Sequence, residues 1–188
     1  MKKLDQILQR CKQQDRAAQK QLYSLTYTHL AVAVAVYSKD NSERDWIFNL
    51  GMMKIFTSLE KFQAGTNYLG WARTLLVRSA IDHYRKNKKH TDNLTPLDDS
   101  KKQITSRDFE EMMNDLETDS IIQLLQKLSE RERIVFSMNE LDGYSHKEIQ
   151  ELTGINSNTS KWLLAKAKKS LKTMIQKASD LKIYGYGK

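Results

Sequence analysis

The sequence predicts an all-α protein of two small helical domains, and three observations carry that prediction. Apolar residues recur at the three-to-four-residue spacing of amphipathic helices along most of the chain. No pair of alternating segments is joined by a hairpin turn. Charge is also partitioned: residues 1–90 hold 16 Lys and Arg against 7 Asp and Glu, residues 91–120 hold 3 against 9, and residues 121–188 hold 12 against 7. The acidic middle contains the only proline, Pro96, within a polar run from Asp92 to Ser100. Such a segment reads as a tether between two basic bodies, or else as a surface loop within one. The expected division is a first domain over 1–90, a linker over 91–118, a second domain over 119–178 and a tail over 179–188.

Leu4, Ile7, Leu8 and Cys11 mark a first helix, and Ala18, Leu22, Leu25 and Tyr27 a second one after Asp15. Leu30–Tyr37 alternates large and small apolar residues, which is also a strand signal; with no second strand to pair it, it reads as a buried helix. Ser42 opens a third helix through Trp46, Phe48, Met52, Ile55 and Leu59, with Gly51 inside it suited to close helix packing. Phe62–Trp71 is a Gly-containing loop rich in aromatics. It leads into a helix from about Asn67 to Asn87 whose inward residues are Leu69, Ala72, Leu76 and Ala80.

The charges of this fourth helix, Arg73, Arg78, Arg85, Lys86, Lys88 and Lys89, face a lone acid, Asp82. The last four would suit a helix C-terminus in any protein. The loop is more telling, because exposed aromatics beside cations are how proteins hold unstacked single strands. Some of Phe62, Tyr68, Trp71 and Tyr84 must nevertheless serve the core, and Trp71 is the first expected there.

The stretch from Asp142 to Ala167 is the most informative. Ser145 and Glu148 have the spacing of a capping box. Ile149 and Leu152 fall on one face, Gly154 supplies a positive-φ turn, Ile155 plugs the corner, and Asn156 caps a longer helix starting near Ser157. This is the layout of a helix-turn-helix, whose second helix enters the DNA major groove. In that helix Ser160, Leu164, Ala167, Leu171 and Ile175 are expected to be buried. The opposite face carries Asn158, Trp162, Lys166 and Lys169, with Lys161 and Ala165 alongside. Ser157–Lys177 holds six lysines and no acid, which suits a polyanion. Trp162 on this polar face is either a base or partner contact or a surface aromatic.

A net charge of +8 and a pI near 9.4 point to an acidic partner, nucleic acid ahead of an anionic membrane surface. One cysteine, Cys11, excludes an internal disulfide, and the four histidines lack metal-ligand spacing, so neither metal nor cofactor is expected. No nucleophile–base pair or carboxylate cluster argues for catalysis. Met1–Gln6 lacks the apolar core of a signal peptide and no apolar run approaches membrane-spanning length, so a cytoplasmic chain with no membrane insertion, monomeric when free, is expected.

Leu124–Leu171, including Leu128–Phe136 and Gly143–Ile149, closely resembles region 4 of bacterial extracytoplasmic-function sigma factors. Phe56–Arg85, with Trp71 and the run Ala80–Lys86, looks like the later part of their region 2. The resemblance implies a dissociable, non-catalytic subunit that directs RNA polymerase core to promoters. It further implies that region 2 holds the clamp helices of a large core subunit and melts the minus-ten element, while region 4 reads the minus-thirty-five duplex. Carried over by position, base readers fall on Lys161, Trp162 and Ala165, a phosphate contact on Lys166, and helix N-terminal contacts on Asn158 and Thr159. The loop that captures a melted base falls on about Phe62–Gly70, with Phe62 and Tyr68, and the adjacent DNA-facing helix on Arg73, Arg78, Arg85 and Lys86. The core-polymerase contact falls on Asp45, Trp46, Ile47, Asn49 and Leu50, where the family's Gln and acid are replaced by Asn49 and Leu50.

The expected partners are therefore RNA polymerase core, promoter DNA as duplex and as melted single strand, and an anti-sigma factor. Two other readings stand beside this one. A stand-alone helix-turn-helix regulator would use the first domain for dimerisation or sensing. A degenerate sigma factor would bind an anti-sigma factor but not core, and the Asn49 and Leu50 changes motivate it.

Overall fold

The structure is a computed structural model that describes residues 3–63, 65–87 and 117–183, with side chains as far as residue 177. The acidic run around Pro96, the Lys88–His90 cluster and the tail from Tyr184 lie outside the described residues. Those described are helical, with no strand among them, in agreement with the all-α expectation. They form two compact units, the first ending at Lys86 and the second beginning at Asn87.

The first unit comprises α1 (Lys3–Lys12), α2 (Arg16–Ala35), α3 (Asn41–Ser58), a 3-10 turn (Leu59–Lys61) and α4 (Tyr68–Asn87). The chain breaks between α1 and α2 because Gln14 turns to a φ of 62° and Asp15 caps the second helix. Asp15 Oδ1 accepts from the Ala17 and Ala18 amides at 2.9 and 3.0 Å, and Oδ2 accepts from Arg10 at 2.7 Å. The Ala18 amide and then the guanidinium hold this carboxyl below its ordinary pKa. Asp40 caps α3 by accepting from the Glu43 amide at 2.8 Å, so α3 starts at Asn41, one residue before the expected Ser42.

Leu30–Tyr37 is helical as far as Ala35, as the missing strand partner implied. Leu30 and the run Val34–Tyr37 are buried, while Val32 is exposed. Gly51 is the point where α3 meets α4. A Cβ there would lie 2.5 Å from Leu76 Cδ2 and 3.3 Å from Leu76 Cα, so any larger residue would force Leu76 to shift. Leu22, Phe48, Met52, Ile55, Ala72 and Leu76 form the core, each with at most 2% exposure. Burying a side chain of leucine or phenylalanine size stabilises by about 1.5–3 kcal/mol.

The second unit comprises α5 (Thr118–Gln126), α6 (Glu130–Phe136), a π-type turn (Ser137–Leu141), α7 (His146–Thr153) and α8 (Ser157–Ile183). α6 and α7 both pack on α8. Ser129 and Glu132 form a capping box at the start of α6, which the Ser-x-x-Glu spacing would have revealed. The π turn sends the Asp142 amide back to the Ser137 carbonyl at 3.1 Å, and Gly143, at a φ of 72°, completes the reversal into α7.

The buried seam of α8 differs from the expected one at a single step. Ser160, Ala167, Leu171 and Ile175 are buried as expected, but Leu163 is buried and Leu164 only half-buried. A helix that packs against two others presents a wider arc than its own periodicity marks, and Leu163 fills the added side.

Candidate nucleic-acid interface

The helix-turn-helix is assembled as its spacing required. The Ser145 amide donates to Glu148 Oε2 at 2.8 Å, and the Glu148 amide donates to Ser145 Oγ at 3.2 Å. The Ser145 hydroxyl and amide hold the Glu148 carboxyl below its usual range. Gly154 takes a φ of 73° and Ile155 is 1% exposed in the corner. The first amides of α8 are already engaged: Ser157 N–H donates to Gln150 Oε1 at 2.8 Å, and Asn158 N–H to Asn156 Oδ1 at 2.9 Å. A contact to DNA from Asn158 therefore has to come from its exposed side chain. His146 Nδ1 lies 2.9 Å from Ser160 Oγ and pins α7 to α8. Burial, helped by the nearby Lys161, pulls the His146 pKa below its ordinary value.

At 100° per residue, Asn158, Lys161, Trp162, Ala165, Lys166 and Lys169 span an arc of about 140°, with Thr159 just beyond. Trp162 and Thr159 are half-buried and the other five are exposed. The lysines of Ser157–Lys177 are not equivalent. Lys166 lies beside the buried seam and meets Glu132 Oε1 at 2.8 Å; Lys168 meets Glu140 at 2.9 Å. Lys161 and Lys169 are exposed and make no ion pair among the described residues. Counting lysines thus overstated the free positive charge, because α6 and the π turn supply acids that sequence order does not place nearby.

The first unit departs more strongly from expectation. Phe62 is 5% and Tyr68 2% exposed, so neither can stack on a passing base. Both pack with Trp71, ring centroids lying 5.0–6.1 Å apart within the trio. The Thr26 hydroxyl donates to the Leu22 carbonyl at 2.7 Å and therefore accepts from the Tyr68 phenol at 2.8 Å. Burial pushes that phenol up to about 12. Trp71, the ring first expected in the core, packs on both but is the half-buried one of the three.

Along α4, Trp71, Arg78 and Arg85 follow one another at seven-residue steps and share a stripe. Arg78 and Arg85 are exposed there, although Arg85 also meets Asp82 at 3.3 Å. Arg73 is half-buried and lies about 140° around the helix from Arg78, so the two do not share the face assigned to both. Lys86 is exposed about 80° beyond Arg78 on the other side. Among the described residues of the loop, the exposed side chains are the polar Gln63, Thr66 and Asn67.

The segment expected to meet polymerase forms a face on α3. Trp46 is 60% exposed and Met53 66%, with Asn49 and the half-buried Leu50 between them. Ile47 is not part of it; at 2% exposure it belongs to the core, about 100° around the helix from Trp46. Asp45 Oδ1 accepts from Tyr27 at 3.2 Å, and Asn49 Oδ1 accepts from Tyr23 at 2.9 Å. Met53 was missed, although its seven-residue step from Trp46 was visible.

Among the described residues no helix is long and apolar enough to cross a membrane, and no cluster of His, Cys, Asp and Glu could hold a metal ion. Residues 118–171, the span from the first residue of α5 to the middle of α8, match the family described as Sigma-70, region 4. The RNA polymerase sigma factor SigV of Bacillus subtilis is 27% identical over 141 residues, covering 75% of this chain and 81% of that protein. The region 4 match thus covers the unit whose fold leaves a basic helix face open, and a sigma factor is similar along three quarters of this chain.

Proposed function

We propose that the two units divide promoter recognition between them, the second reading the minus-thirty-five duplex with α8 and the first binding polymerase core and the opened minus-ten element. The exposed Lys161, Ala165 and Lys169, with the half-buried Trp162 among them on the second helix of a capped helix-turn-helix, carry this reading. Phosphate contacts position such a helix and base contacts specify where it sits. Lys161 and Lys169 supply the first kind, and Trp162 and Ala165, with Asn158 and Thr159 at the helix start, the second.

In the first unit the stripe of Trp71, Arg78 and Arg85, together with the exposed Gln63, Thr66 and Asn67, takes the separated strand. Phe62 and Tyr68 hold that surface from beneath. Removing a base from the stack costs a few kcal/mol, offset by contacts in the loop and along the backbone. The α3 face of Trp46, Asn49, Leu50 and Met53 meets the core subunit, and its apolar ends replace the polar contact usual in the family. The chain performs no chemistry itself, works in the cytoplasm without a cofactor, and is held by an anti-sigma factor when not engaged.

Run-off transcription with core polymerase and a genomic library tests the reading. Discrete transcripts that require this chain are expected, and Trp46→Ala should reduce both their yield and co-purification with core. A pure chain that shifts promoter duplex without polymerase and yields no transcripts would indicate a stand-alone regulator. An anti-sigma complex without core binding would indicate the degenerate form that Asn49 and Leu50 suggest.

A further inference from the structure

We propose that Glu132 is a positioning residue for base reading, acting on Trp162 through Lys166. The inference rests on the reading that the open face of α8 docks on duplex DNA. Glu132 lies on α6, a helix with no residue on that face, and is itself 5% exposed. Its capping role uses one oxygen, Oε2, which accepts from the Ser129 amide at 3.1 Å. The other oxygen, Oε1, is buried without an aligned hydrogen-bond donor and faces the Lys166 ammonium at 2.8 Å. A carboxylate removed from water needs such a countercharge, so the contact is an obligation of burial rather than a surface ornament.

The same ammonium lies 5.2 Å from the centroid of the Trp162 ring. A cation over an indole face is attracted by the ring's negative centre. Lys166 therefore stands between a buried carboxylate and an indole, drawn to both. A lysine so placed cannot swing onto a DNA phosphate without stranding the Glu132 charge. It covers one face of the Trp162 ring and leaves the rest of the ring toward the groove. The resemblance assigned Lys166 to a phosphate; the geometry assigns it to the indole, and leaves the phosphates to Lys161 and Lys169.

Glu132→Gln keeps the capping acceptor and removes the charge that anchors Lys166. Because Lys166→Met alone would strand a buried carboxylate, the paired variant Glu132→Gln/Lys166→Met serves as the stable control. The first measurement is made on the free full-length chain, following the indole N–H resonance of Trp162, identified by its loss in Trp162→Phe. Both variants should move that resonance and leave those of Trp46 and Trp71 in place. An unmoved resonance overturns the proposal.

The second measurement uses holoenzyme reconstituted with core polymerase and a duplex set with single base changes. Discrimination at the base facing Trp162 should fall by about threefold or more in both variants, the scale of coupling between touching residues. In the paired variant the slope of log affinity against log salt should not change. A slope lower by about 0.9 with base preference intact would make Lys166 a phosphate contact and overturn the proposal. If wild-type holoenzyme shows no duplex preference at all, the docking reading itself fails, and with it the base-reading role; the resonance separates the two failures, because the clamp on the indole is measured without DNA.

Discussion

Two aromatic-and-cation regions of this chain look alike in sequence and come out opposite in structure. In the first unit Phe62, Tyr68 and Trp71 sit beside a basic helix, and the first two are sealed into the core. In the second, Trp162 sits among lysines and remains half-open on a polar face. The difference lies in what packs behind each ring. Phe62 and Tyr68 flank the entry to α4, where α2 supplies Thr26 to pair with the Tyr68 phenol. Trp162 points away from the seam that α6 and α7 cover. An aromatic beside cations is left open to a ligand only where no third helix claims the ring.

The largest expected effect tests that contrast directly. Tyr68→Ala should destabilise the first unit by about 3–5 kcal/mol, the range for emptying a large aromatic site. Trp162→Ala should cost less than about 1 kcal/mol and act on sequence preference instead. Denaturant melts of the full chain followed by circular dichroism compare the two, and equal losses would erase the distinction between packing and reading rings.

The second test concerns closeness of packing. Gly51→Ala places a methyl 2.5 Å from the Leu76 side chain and 3.3 Å from its Cα. Overpacking of this kind costs about 1–3 kcal/mol, and the melting midpoint of the first unit should fall accordingly. No loss would mean that α3 and α4 separate freely. Gly154, in the second unit, works differently. Gly154→Ala strains a backbone at a φ of 73°, with an expected loss of about 1–2 kcal/mol from the left-handed conformation alone. Gly154→Asn, which tolerates that region better, should recover much of it.

The smallest effect is a pH dependence expected in the second unit, where the His146 pKa lies below its ordinary 6.5 because of burial, with Lys161 adding to the shift. The unfolded chain then binds the proton more readily than the folded one. Stability from this residue is complete above about pH 6.5 and is lost as the pH falls from there through the folded value. His146→Gln should flatten that slope in melts across pH 5–8, and an unchanged slope would show that the joint with Ser160 does not carry it.

Much of the second unit was legible because its signals are local. Ser145, Glu148, Gly154 and Asn156 act within a few residues of themselves, so their spacing states their geometry. The first unit was legible as helices but not as a site. Nothing within a few positions of Tyr68 foretells Thr26, forty-two residues earlier, and nothing near Ile47 separates it from the exposed Trp46 except which side α3 turns inward. The Glu132–Lys166 pair was invisible for the same reason, since its partners are thirty-four residues apart on different helices.

The sequence by itself determined the helices, their caps and turns, and the basic character of α8, because these follow from backbone satisfaction and periodicity over short stretches. Tertiary structure decided which aromatic rings face water and which lysines remain uncommitted. Both depend on surfaces brought together from distant parts of the chain, where a buried charge must find a counterion and a large ring goes wherever a neighbouring helix can cover it.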